Sequence, residues 1–107
     1  MKLDDIQAEL ERGDVLPGRA ADLLVIVSAK YGKAADEYVR KSAEFARAFN
    51  ESRDRFKSDT ATERYLENSE LGLEMSFWKY QLKKAEMMSK ALSTLVYLRT
   101  AEAKNLV

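Results

Sequence analysis

The chain has 107 residues, 46% hydrophobic and 34% charged, and its 18 basic and 18 acidic side chains cancel to a net charge of zero. That balance suits one small helical domain and removes any global field that would draw the protein to nucleic acid or anionic lipid. Cysteine and histidine are both absent, which excludes disulfides, thiolate metal sites, cysteine nucleophiles and the usual general base.

A single proline and four glycines leave little material for a turn-rich β fold. The opening MKLDDIQAELER is charged and amphipathic without an apolar core, so no secretory signal is expected. The longest apolar run, Leu23 to Val27, is too short to span a bilayer. A cytoplasmic protein, bacterial or in a phage-infected host, is the expectation.

The first predicted helix covers residues 3–12, with Leu3, Ile6 and Leu10 at spacings of three and four. Asp4 and Asp5 stand where the helix dipole favours negative charge, and Gly13 supplies a stop. Ten residues form no stable helix alone, so this one must dock on something.

Pro17 and Gly18 punctuate the chain before a second helix, predicted over 18–57, in which Gly32 is the only breaker. Its seam reads Leu24, Ser28, Tyr31, Ala35, Tyr38, Ser42, Phe45, Phe49, Ser52, Phe56, with small residues among aromatic ones in a heptad-like register. Leu23 to Val27 is apolar all round and also fits a short buried strand. No second strand exists to pair with it, so a helix end buried on several sides is preferred.

Ser58-Asp59-Thr60 interrupts the pattern, and Thr60 with Glu63 forms a capping box for a third, uninterrupted helix over 60–105. So short a connection forces the second and third helices antiparallel. The fold expected is all-α: an elongated antiparallel hairpin of two long helices, each roughly 60 Å at ~1.5 Å per residue, preceded by a short helix. Charge supports the pairing. Arg40, Lys41, Arg47, Arg53, Arg55 and Lys57 would lie beside Asp59, Glu63, Glu67, Glu70 and Glu74, fixing register more than stability.

The third helix carries two apolar stripes. One reads Leu66, Leu73, Phe77, Tyr80, Met87, Ala91, Leu95, Leu98; the other reads Leu71, Met75, Trp78, Leu82, Ala85, Leu92, Val96. At ~100° per residue they lie roughly 140° apart, so one partner helix cannot cover both. The first helix, ~15 Å long, and the start of the second would fold over part of the second stripe. Leu71, Met75, Trp78, Leu82, Leu92 and Val96 are therefore the expected interface, closing a bundle with another copy, a dimer above all, or with another protein.

Other clusters have simpler readings. Glu63, Glu67, Glu70 and Glu74 make a carboxylate ladder, but di-iron bundles also need an E-x-x-H pair, so an acidic face answering the arginines is expected and no metal or cofactor. Lys79, Lys83, Lys84 and Lys90, near Trp78 and Tyr80, use the vocabulary of single-strand nucleic-acid binding. A solvated basic surface is the plainer account. Met75, Met87 and Met88 read as filler in a core or interface. No phosphate loop, nucleophile elbow or zinc spacing occurs.

The stretch ERYLENSELGLEMSFWKYQLKKAEMMSKALSTLVYLRTAEAKN resembles the small all-helical accessory proteins of tailed bacteriophages and prophages. That resemblance implies a phage or bacterial setting and a partner in nucleic-acid metabolism, and assigns no residue a role. The reading from sequence is thus a non-enzymatic helical protein that self-associates and binds another macromolecule. The alternative is a nucleic-acid-binding accessory protein of replication or recombination using Lys79, Lys83, Lys84 and Lys90.

Overall fold

A computed structural model describes residues 1–105, with side chains described through residue 98. Among these residues every regular element is helical: α1 (Leu3–Glu11), α2 (Pro17–Ser52), a 3₁₀ turn (Arg53–Arg55), α3 (Asp59–Glu67) and α4 (Glu70–Asn105). The two long helices, α2 and α4, pack together as an all-α hairpin. The apolar run from Leu23 to Val27 lies inside α2 and is helical.

Local chemistry sets most of the boundaries. Asp5 accepts the backbone N–H of Lys2 at 3.0 Å, closing the start of α1, and Gly13 takes φ +77° just past its end. That left-handed conformation is strained for residues with a Cβ. Pro17 opens α2, where its missing N–H costs no hydrogen bond. The helix then runs unbroken through Gly32, at which an added Cβ would meet nothing within 4 Å.

Two boundaries differ from the sequence reading. The second helix, expected to reach residue 57, stops at Ser52 and tightens into the 3₁₀ turn. Ser58, rather than Thr60, caps α3: its hydroxyl accepts the Ala61 N–H at 3.1 Å, and Thr62 donates its own hydroxyl to the Ser58 carbonyl at 3.1 Å. The third helix is not continuous either. It breaks at Asn68 and Ser69, giving α3 and α4.

The contacts gather into two compact units. One comprises Met1–Gly32 with α4 from Lys83 onward, and the other comprises Lys33–Leu82. In the first unit Leu3 and Ile6 of α1, Val15, Ala20, Leu23 and Val27 close a core over Ala85, Met88 and Leu92 of α4. Leu10, Leu24, Ile26, Leu95 and Val96 pack around it. The run Leu23–Val27 is therefore covered on more than one side but not all round: Leu23 and Val27 are buried and Leu24 and Ile26 pack against the core, whereas Val25 is 71% exposed.

The second unit is built differently. Its seam on α2 follows the expected register, with Ala35, Tyr38, Ser42, Phe45 and Phe49 half-buried. Its wholly or nearly buried side chains are few: Ala34, Thr62 and Leu66. Phe56 and Tyr65 face each other across the 3₁₀ turn and α3, with ring centroids 4.9 Å apart.

Candidate functional site

Neither stripe of the third predicted helix is uniformly covered or uniformly open. Leu92 was expected on an open interface, yet it is wholly buried in the first unit, as is Ala85, with Val96 packed beside them. The short α1 succeeds as a cover because Val15 and the first turns of α2 close over the same surface. Leu92 and Val96 are thus core contacts in this fold. In the second unit Leu71, Met75, Trp78 and Leu82 are half-buried. Trp78 lies under the Lys33 ammonium, 6.0 Å from the ring centroid, and meets the edge of Phe77 at 5.1 Å.

The other stripe is the more open one. Within the second unit Leu73, Phe77 and Tyr80 are 61%, 53% and 60% exposed, and their steps of four and three place them on one face of α4. In the first unit Met87, Ala91 and Leu98 of the same stripe are also exposed. Leu66 and Leu95 are the exceptions: α3 carries Leu66 into the core of the second unit, and Leu95 packs against the core of the first. The break after Glu67 separates Leu66 from the residues it would otherwise extend.

The corner itself is tightly built. The Ser69 hydroxyl donates to the Leu66 carbonyl and accepts the Gly72 N–H at 3.3 Å, while the Asn68 amide donates to the Arg64 carbonyl at 2.8 Å. Gly72 sits against the end of α3: a Cβ there would lie 2.6 Å from the Glu67 carbonyl oxygen and nearer still to that of Leu66. Only a residue without a side chain fits.

Charge pairing follows the expected scheme in part. Lys41 donates to Glu74 at 2.6 Å, with Glu44 at 3.7 Å, and Arg53 lies 3.6 Å from Asp59. The bond to Glu74 holds the Lys41 ammonium above the usual lysine range, against a smaller opposing cost of burial. Arg40 turns instead to Glu37 on its own helix, at 3.1 Å. In the first unit Arg19 grips Glu9 with two nitrogens, at 2.8 and 2.9 Å. That bond first, and the guanidinium charge with it, holds the Glu9 carboxyl below the usual carboxylate range.

The lysine cluster is partly committed. Lys84 is paired with Asp4, and Lys90 lies 3.3 Å from Glu86, while Lys79 and Lys83 are exposed. The carboxylate ladder is divided by the corner, since Glu63 and Glu67 belong to α3 and Glu70 and Glu74 to α4. Among the described residues no three carboxylates converge as metal ligands, and no helix is long and apolar enough to cross a membrane. An open hollow in the first unit is lined by Ser28, Tyr31, Glu86, Ser89 and Lys90.

No known protein family, curated protein or solved structure matches this chain.

Proposed function

We propose that the protein is a non-enzymatic helical interaction protein that self-associates through the Leu73–Phe77–Tyr80 face of α4 and presents its outer surfaces to another macromolecule. The observation that carries this reading is the thin core of Lys33–Leu82. Its buried apolar side chains are Ala34 and Leu66, while the rings of Phe77 and Tyr80 and the side chain of Leu73 are more than half exposed. Apolar surface of this kind is costly to leave in water, and a second helix is the simplest cover. Zero net charge favours a second copy as that cover, because no long-range repulsion keeps copies apart. A small accessory factor in a bacterial or phage setting, as the resemblance of the third helix suggests, would act in this way.

The test is absolute mass by light scattering across a concentration series, on the wild-type chain and on a Leu73→Ser/Phe77→Ala variant. The expected result is an assembled wild-type chain, a dimer before anything larger, and a variant that dissociates at higher concentration while keeping its helical signal. Trp78, the single tryptophan, touches Phe77 and should report the same transition by fluorescence. A wild-type chain that stays monomeric when concentrated overturns the proposal, as does a variant that assembles unchanged.

A further inference from the structure

The corner between α3 and α4 differs in kind from the other helix stop with a glycine near it. After α1, Gly13 takes φ +77°, so extending that helix would require its backbone to cross into a different region of conformational space. At the α3–α4 corner no residue has positive φ. Asn68 lies at φ −90°, ψ −4°, within reach of helical values, and its N–H still bonds the Arg64 carbonyl as in a continuing helix. Leu73 N–H already bonds the Ser69 carbonyl at 2.9 Å. No proline interrupts residues 60–105.

The apolar pattern also ignores the corner. Leu66 stands seven residues before Leu73, so in a continuous helix it would join the face formed by Leu73, Phe77 and Tyr80. Gly72 makes sense only in the bent form. In a straight helix a glycine is a weak choice, whereas in the bend any Cβ would collide with the backbone at Leu66 and Glu67.

We infer that the α3–α4 corner is a two-state joint controlling the α4 face: bent, it holds Leu66 in the core; straight, it fuses α3 with α4 and adds Leu66 to the Leu73–Phe77–Tyr80 surface. The consequence for assembly rests on the proposed function above, but the joint itself does not. The isolated chain favours the bend, because Leu66 and Thr62 are buried there and Ser69 satisfies both helix ends. A second copy that covers Leu66 shifts the balance toward the straight form. If association uses the straight form of each copy, the apparent dissociation constant rises by the reciprocal of the straight fraction for each, about a hundredfold when roughly one molecule in ten is straight.

The absence of cysteine allows labels to be placed cleanly at Glu63→Cys and Lys79→Cys, both exposed positions. Their spacing along one straight helix would be ~24 Å between backbones and less in the bent form. Label separations would be measured at high dilution and in the Leu73→Ser/Phe77→Ala background, so that failure of the joint is separable from failure of self-association. The expected result is a minor long-distance population in the wild-type chain, nearly complete in Gly72→Ala and enlarged in Ser69→Ala. Gly32→Ala, where the new Cβ meets open space, should leave it unchanged. A single short separation in the wild-type chain and in Ser69→Ala overturns the inference even if Gly72→Ala does not fold. So does a folded Gly72→Ala chain that keeps the short distance.

Discussion

Leu92→Ala and Leu73→Ala remove the same atoms from the two stripes of α4 and should have opposite signatures. Leu92 is wholly buried among Leu3, Ile6, Leu23 and Val27, with Ala85 and Met88 beside it. Truncation deletes three carbons, worth about 2.4 kcal/mol at ~0.8 kcal/mol each, before the cavity left behind adds its own cost. A total loss of about 3–4 kcal/mol is expected from a chain of this size, whose whole stability is of order 5–15 kcal/mol. Leu73 is 61% exposed, so its truncation should change the stability of the monomer by no more than about 0.5 kcal/mol. Urea unfolding followed by helical circular dichroism, at concentrations below any assembly midpoint, measures both. Equal losses for the two variants, or a loss under about 1 kcal/mol for Leu92→Ala, would refute the assignment of covered and open stripes. Raising the protein concentration should widen the gap between wild type and Leu73→Ala, because assembly adds stability that the variant lacks.

Two further outcomes test local features. Ser58→Ala removes the acceptor for the Ala61 N–H and should cost about 1 kcal/mol, whereas Thr60→Ala should cost much less if Ser58 is the cap; chemical denaturation of both variants decides it. The depressed Glu9 carboxyl stabilises the fold above the ordinary carboxylate pKa, and that contribution fades as pH falls through its lowered folded value. The difference in melting temperature between wild type and Glu9→Gln should therefore shrink on acidification through that range, and a constant difference would show that the Arg19 bond contributes nothing to folding. Lys41 carries the opposite sign: its raised pKa stabilises below the ordinary lysine value and is lost as pH rises through the folded one.

The helices were legible because their signals are local. The spacing of Leu3, Ile6 and Leu10, the stop at Gly13, and Pro17 at the start of α2 each depend on neighbours within a turn or two. The seam from Ala35 to Phe49 was legible for the same reason. Which stripe of α4 lies covered was not, because the choice is made by α1, which is more than seventy residues distant in sequence from Leu92. The corner at Asn68 and Ser69 was hidden by residues that sit acceptably in a helix. Its one visible sign was a serine with a glycine three residues later, where the serine hydroxyl could cap a close approach. The capping box at Thr60 and Glu63 pointed two residues too far along, since Ser58 is also a residue type that caps helices. Thr62 decided between them by bonding the Ser58 carbonyl from a buried position.

The order in which the two units can form follows from their chain composition. Lys33–Leu82 is a contiguous stretch, so its helices meet across short connections. The other unit joins Leu3–Val27 to Ala85–Leu92, and that entire stretch intervenes. Closing so long a loop carries an entropic cost that local contacts do not meet, which slows the docking step relative to the hairpin. During synthesis α1 emerges ahead of α4 and has no apolar surface there to dock against until Leu92 and its neighbours have followed. α1 is therefore among the last of these helices to find its place, and a nascent chain halted between Leu82 and Leu92 would carry a paired hairpin while Leu3 and Ile6 were still exposed.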